Sequence, residues 1–79
     1  MQEFIEFLLK NIVSQPDALA IEKVAGFDGS DTYIIHVSKE DMGMVIGKEG
    51  KNIRSIRSLV KAKAIKENVR VNVELAESA

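Results

Sequence analysis

The chain has 79 residues, with no cysteine, a single histidine and a formal net charge of −1. This length predicts one domain, residues 1–79. The lack of cysteine excludes disulfides and thiolate metal sites, and the single His36 excludes a multi-histidine metal centre. We therefore expect no cofactor. No apolar run approaches the roughly 18 residues of a membrane span, and the acidic N-terminus lacks the basic region of a signal peptide, so we expect a cytoplasmic protein with no membrane partner.

The charges are distributed unevenly along the chain. Residues 47–66 carry a net charge of +6, because seven lysines and arginines face a single acid, Glu49, whereas the rest of the chain carries −7. A basic segment on an acidic body concentrates positive potential at one place. A solvated helix face is the ordinary interpretation of such a segment, and a surface that binds an anion is the alternative.

The first predicted element is an amphipathic helix over residues 2–14, which Pro16 ends. Its apolar residues form one stripe at helical spacing, so we expect it to pack on a core. The stripe consists of Phe4, Ile5, Leu8, Leu9 and Ile12.

Two strands are predicted next, over residues 19–27 and 32–37. Val24 interrupts the alternation of the first strand, which predicts a β-bulge near Glu22–Lys23. The segment 28–31, Asp-Gly-Ser-Asp, is typical of a turn, so the two strands are expected to form an antiparallel hairpin.

A short helix follows, with Ser38 as its N-cap and Asp41 at the third position. It is expected to end at Gly47. The next helix is predicted over residues 51–66 and its apolar stripe, Ile53, Ile56, Val60 and Ala64, is widened by Leu59.

Arg54, Arg57 and Lys61 lie three and seven positions apart and share another face of this helix. Residues 69–75 then alternate between apolar and polar side chains and predict the last strand. Residues 76–79 are expected to fray.

The predicted order is therefore α-β-β-α-α-β, an α+β fold. A right-handed crossover places the last strand beside the second and parallel to it. The hairpin adds the first strand antiparallel, which gives a mixed three-stranded sheet with three helices on one face.

The segment Gly47-Lys48-Glu49-Gly50 connects the second and third helices. Glycine lacks a Cβ, so its backbone reaches positive φ values and lets a ligand come close to the main chain. Amides at the start of the following helix favour an anion such as phosphate. The loop and the basic helix together favour binding of a phosphate backbone over a merely solvated surface.

The stretch from Val45 to Arg57 resembles the core of a KH domain, because its Gly-x-x-Gly loop lies between two helices and before a basic helix. The element order is similar to that of the type II, prokaryotic KH domain, and the resemblance covers essentially the whole chain. The chain is also similar to the small bacterial single-KH proteins of the KhpA type.

The resemblance implies a groove that binds single-stranded RNA. It also implies a role in post-transcriptional regulation or as an RNA chaperone. The two glycines would admit the sugar-phosphate backbone, and Lys48 and the amides of residues 48–51 would meet phosphates. Val45, Ile46 and Ile53 would form an apolar floor against the bases. The implied RNA-binding residues are Val45, Ile46, Gly47, Lys48, Glu49, Gly50, Lys51, Asn52, Ile53, Arg54 and Arg57.

Two departures from a strong RNA site are visible. First, Glu49 places a carboxylate at the tip of the loop, where it opposes phosphate unless it turns to solvent or pairs with Lys48, Lys51 or Asn52. Second, no aromatic residue is predicted in the groove. We therefore expect modest, salt-dependent affinity. The resemblance also implies pairing of domains, as a homodimer or with a larger KH-containing protein, which raises affinity through effective concentration.

An enzyme is disfavoured. The spacing of the glycines does not fit a P-loop, and the lone His36 lies on a predicted strand, so no Ser-His-Asp set is available and no small-molecule substrate is expected. The serious alternative to RNA binding is a protein–protein interaction module that keeps the KH fold and has little affinity for RNA.

Overall fold

The computed structural model describes residues 1–76 and shows the predicted element order. The prediction of fraying for residues 77–79 lies outside the described residues. The helices and strands are α1 (Gln2–Lys10), β1 (Ala20–Ala25), β2 (Asp31–His36), α2 (Lys39–Ile46), α3 (Lys51–Lys66) and β3 (Val71–Leu75), with single 3-10 turns at Pro16–Ala18 and Lys48–Gly50.

The sheet has the order β1-β2-β3 and the predicted mixed topology. β1 pairs with β2 antiparallel, from Ala20 opposite His36 to Ala25 opposite Asp31. β3 pairs with β2 parallel, from Asp31 opposite Val71 to Ile35 opposite Leu75. The predicted α+β class and sheet arrangement are confirmed.

The core lies between one face of the sheet and the three helices. Alternation along β2 sends Tyr33 and Ile35 into it and leaves His36 exposed, as the sequence pattern predicts. Burial of this apolar surface is the main source of stability for so short a chain. The buried apolar side chains are Ile5, Leu9, Val13, Tyr33, Ile35, Val45, Ile53, Ile56, Val60, Ala64 and Val73.

The first helix is shorter than predicted, because it ends at Lys10 rather than at residue 14. The amides of Ser14 and Gln15 donate to the carboxylate of Asp41, at 2.9 and 3.0 Å, and this contact draws the chain away from the helix axis before Pro16. Val13 nevertheless stays in the core.

The predicted bulge in β1 is wrong. The pairing with β2 runs one to one through Glu22 and Lys23 without an extra residue. Val24 breaks the alternation simply because it lies on the outer face of the sheet, where it is exposed.

Two further expectations need correction. β3 begins at Val71, not at residue 69, because the Val69 amide donates to the Ala64 carbonyl at 2.9 Å after Asn68 reverses the chain at φ 59°. Leu59 is half exposed and does not widen the apolar stripe of α3.

The predicted N-cap of α2 is confirmed, and Asp41 does more than cap. The Asp41 amide donates to Ser38 Oγ at 3.3 Å. The Asp41 carboxylate is buried and accepts bonds from the Ser14 hydroxyl at 2.7 Å and the Ser38 hydroxyl at 3.0 Å, in addition to the two backbone amides. It therefore fastens the segment after α1 to the start of α2.

Candidate nucleic-acid interface

Gly47 ends α2 in a backbone conformation that only glycine adopts readily. Its φ and ψ are 76° and 171°. A Cβ built at this position would lie 2.6 Å from Cγ of Asn52 and 2.8 Å from its Cβ, closer than real contacts allow. The backbone of the loop therefore packs directly against the first turn of α3.

Asn52 has a structural role that its predicted contact with RNA did not include. Its Nδ2 donates to the carbonyl oxygen of Met44 at 2.7 Å. This bond satisfies one of the carbonyls left open at the end of α2. It also fixes the angle between α2 and α3, and so the shape of the loop between them.

Glu49 and Gly50 continue the turn with φ values of 57° and 74°. Gly50 is the N-cap of α3 and no side chain caps the first turn of that helix. Space for a Cβ is open at Gly50, so glycine is needed there for the backbone angle rather than for close packing.

The four amides expected to meet phosphate fall into two pairs. Those of Gly50 and Lys51 donate within the loop, to the carbonyl oxygens of Gly47, at 3.1 Å, and of Lys48. Across residues 1–76, the amides of Lys48 and Glu49 have no such acceptor. Successive amides around a left-handed residue form a concave anion-binding geometry.

Arg54 holds the loop from the first turn of α3. Its Nη2 donates to the Glu49 carbonyl at 2.8 Å and its Nε donates to the Gly50 carbonyl at 3.3 Å. These bonds turn two loop carbonyls towards the guanidinium. Arg54, a predicted RNA-binding residue, thus also supports the loop.

The carboxylate of Glu49 is exposed and makes no ion pair with any residue the structure describes. Of the two possibilities left open by the sequence, orientation to solvent is the one the structure shows. Lys48 and Lys51 are exposed on either side of it, so the loop surface remains net positive.

Arg57 points to the edge of the sheet. Its Nε donates to the Val73 carbonyl at 3.2 Å, on the outer strand β3. It thereby forms one wall of a groove of about 460 Å³ between α3 and β3. The groove is lined by Arg57, Val60, Lys61, Val71, Asn72, Val73 and Glu74.

Sequence reasoning did not include Lys61, Asn72 and Glu74 among the site residues. Lys61 carried a usable signal, because it shares a helix face with Arg54 and Arg57. Asn72 and Glu74 are the polar positions of an alternating strand, and this pattern alone does not predict that β3 lies beside α3.

The three residues of the predicted apolar floor, Val45, Ile46 and Ile53, differ in their exposure. Val45 is fully buried and Ile53 is 8% exposed, so both belong to the core beneath the loop. Ile46 is 39% exposed and is the member of this set that a base could reach. Val45 and Ile53 support the loop by holding α2 and α3 together.

Neither of two other kinds of site is found in the part of the chain that the structure describes. Residues 1–76 contain no group of three histidine, cysteine or acidic side chains that could hold a metal ion. No helix among them is long and apolar enough to cross a membrane.

The α-β-β-α-α-β order, the mixed sheet and a Gly-x-x-Gly loop between α2 and α3 define a type II KH domain. The family model described as the KH domain of KhpA/KhpB matches residues 2–75. The chain belongs to this family.

Several curated relatives match over nearly their whole length. The RNA-binding protein KhpA of Clostridium perfringens is 44% identical over 95% of this chain and 99% of its own. Those of Chlamydia pneumoniae and Listeria monocytogenes are each 40% identical over 98% of this chain, and over 97% and 100% of their own.

Proposed function

We propose that this protein binds single-stranded RNA, with the backbone held at the Gly-x-x-Gly loop and the bases in the groove between α3 and β3. The observation that carries the proposal is the pair of amides at Lys48 and Glu49, which have no backbone acceptor within residues 1–76, on a loop that leads into the basic helix α3. The names of the relatives, which are RNA-binding proteins, support it.

Phosphate recognition combines three sources of positive potential. The two loop amides offer hydrogen bonds, the N-terminus of α3 contributes its dipole, and Lys48 and Lys51 add full charges. Arg54 keeps the loop carbonyls turned away from the approaching anion. The exposed Glu49 carboxylate subtracts from this potential, so we propose modest affinity that falls with salt.

Base recognition is assigned to the groove. Its floor contains the buried side chains of Val60 and Val73, and its rim contains Arg57 and Lys61. The faces and edges of unpaired bases are free to enter such a groove, whereas those of a duplex are stacked and paired. We therefore propose a single-stranded ligand and a binding rather than a catalytic role.

The proposed biological role is post-transcriptional regulation or RNA chaperone activity in the bacterial cytoplasm. We further propose that the protein works as a homodimer or with a larger KH-containing protein. Two linked sites would raise the modest affinity of one groove through effective concentration. The family description, which covers both KhpA and KhpB, supports a paired arrangement.

A protein–protein module is the second candidate. The exposed carboxylate of Glu49, which makes no ion pair within residues 1–76, favours it. The net charge of −7 outside residues 47–66 favours it as well. Under this alternative, the KH fold would support assembly while the loop would have little affinity for RNA.

The test is a loop variant, Lys48→Asp with Glu49→Asp, titrated with a short single-stranded RNA at low salt. The matched control is Lys39→Asp with Glu40→Asp, because these exposed residues at the start of α2 undergo the same change of charge away from the loop. We expect the loop variant to lose binding and the control to keep it, with both folded. Equal binding by the two variants, or no RNA binding by the wild type beside stable self-association, contradicts the proposal.

A further inference from the structure

The groove between α3 and β3 continues beyond the part assigned to the bases. A second cavity of about 330 Å³ follows it and shares Lys61, Val71 and Asn72 with it. Its far wall is the turn between β1 and β2, which contributes Asp28 and Ser30. The two cavities therefore form one trough that runs from the middle of α3 to the hairpin turn.

The hairpin turn is held in a defined shape by its own hydrogen bonds. The Gly26 amide donates to the Ser30 carbonyl at 2.7 Å, and Asp28 Oδ1 accepts from the Ser30 hydroxyl at 2.6 Å and the Ser30 amide at 3.1 Å. The hydroxyl bond lowers the pKa of the Asp28 carboxyl, with the amide bond adding to the effect. The ionised carboxylate of Asp28, a hydrogen-bond acceptor, therefore lies at the end of the trough.

Phe27 lies on the same turn, next to Asp28, and its side chain is fully exposed. Ile65 and Val69, which line the second cavity, are also exposed and take no part in the core. An exposed aromatic ring costs hydration free energy that folding does not recover. Ile65 and Val69 line the cavity, Phe27 precedes the wall residue Asp28 in the chain, and none of the three belongs to the core of the described residues.

The second cavity also carries positive charge. Lys61 and Arg70 both line it, opposite the single carboxylate of Asp28. A nucleotide site needs cations for the phosphate and apolar surface with an aromatic ring for the face of the base. It also needs an acceptor for a base amino group.

We infer that the turn and the second cavity form a further nucleotide subsite, in which a base of the same RNA strand stacks on Phe27. The inference rests on the proposed RNA binding at the loop, and it extends the ligand beyond the groove. The continuity of the two cavities and the positive charge of Lys61 and Arg70 favour the same strand over a protein segment as the occupant.

The length of α3 sets the size of the ligand. Its 16 residues make a helix about 24 Å long, with the loop at one end and the second cavity near the other. A KH loop clamps about four nucleotides. We expect a strand that is held at the loop, fills the groove and also reaches Phe27 to be longer than this minimal ligand.

The experiment compares the affinity of the protein for single-stranded RNAs of about four nucleotides and about eight nucleotides. Wild type is compared with Phe27→Ala and with a matched control, Phe7→Ala, which removes another exposed aromatic ring, on α1. We expect Phe27→Ala to weaken binding of the long RNA roughly tenfold, as loss of one stacked base does, and to leave the short RNA unaffected. Phe7→Ala should change neither.

The loop variant of Lys48 and Glu49 separates the two proposals. If it binds the short RNA as tightly as the wild type, the proposed loop site fails. If the short RNA depends on the loop but Phe27→Ala binds the long RNA like the wild type, only the further subsite is overturned. Loss of self-association in Phe27→Ala, with unchanged affinity for the long RNA, would show that the turn is a protein contact and would likewise overturn it.

Discussion

Asn52 occupies the space that a side chain at Gly47 would need, and it bonds the Met44 carbonyl with the same amide group, at 2.7 Å. One residue of α3 thus determines both how closely the loop packs and how α2 ends. The shape of the proposed phosphate site depends on this contact. It also predicts that the two glycines of the loop differ in their tolerance of substitution.

Gly47→Ala should be more destabilising than Gly50→Ala. At Gly50 the cost is the positive φ alone, about 1 kcal/mol, because no atom beyond the adjacent residues lies within 4 Å of an added Cβ. At Gly47 the overlap with Asn52 adds to a glycine-only conformation, so we expect roughly 2–3 kcal/mol. Urea unfolding of both variants measures the difference, and equal costs would contradict the packing argument.

The same contact predicts energetic coupling between Gly47 and Asn52. Asn52→Ala removes Cγ and Nδ2, which are two of the three atoms that an added Cβ would overlap. The cost of Gly47→Ala should therefore be smaller in the Asn52→Ala background, by about 1 kcal/mol. A double-mutant cycle by urea unfolding measures this term. Strict additivity would show that the loop moves away from α3 instead of meeting Asn52.

Stability at acid pH should depend on Asp41. Bonds from Ser14, the hydroxyl first and then the amide, lower the pKa of the Asp41 carboxyl from 3.8 to about 2. The folded state therefore binds this proton less tightly than the unfolded state. The contribution of the Asp41 carboxylate to the free energy of unfolding is complete above about pH 3.8 and is lost as the pH falls to about 2.

Urea midpoints measured across that range should fall for the wild type. Asp41→Asn should be less stable at neutral pH and should show a flatter decline, because it lacks the titrating group. Asp17→Asn is the control, since Asp17 is exposed on the 3-10 turn outside the cluster. A wild-type decline that Asp41→Asn reproduces in full would show that other carboxyls cause the acid dependence.

Arg54→Ala should weaken RNA binding by about 1 kcal/mol, which is a several-fold rise in Kd. The variant loses a charge and frees the Glu49 and Gly50 carbonyls that the guanidinium holds. Lys66→Ala is the control, because it removes the same charge from the last turn of α3. Equal losses in the two variants would mean that Arg54 acts through net charge and has no effect on loop shape.

The fold followed from the sequence where one periodicity governed a segment. The stripe of α3 and the alternation of β2 each had a single consistent phase, and the structure reproduces both. The early end of α1 was missed because a distant contact decided it. The carboxylate of Asp41 ends α1 early through Ser14 and Gln15, and these residues lie far apart in the sequence.

The candidate site was predictable to a similar extent. The Gly-x-x-Gly spacing and the basic helix located the loop, but not which of its amides are free. Arg57 and Lys61 were on the helix face identified from spacing, whereas their position beside β3 depends on the crossover connection. The place of Asp28 and Ser30 at the end of the trough could not be predicted from local sequence, because it requires the packing of the hairpin turn against the end of α3 and the start of β3.

We propose that RNA meets the amides of Lys48 and Glu49 and the groove beside β3. Backbone amide NMR shifts, followed during titration with a short single-stranded RNA, test it most directly. We predict that the largest changes occur at Lys48, Glu49 and the groove residues of α3 and β3, with little change on α1. Changes concentrated on α1, or saturable binding that leaves the loop amides unshifted, would contradict the account.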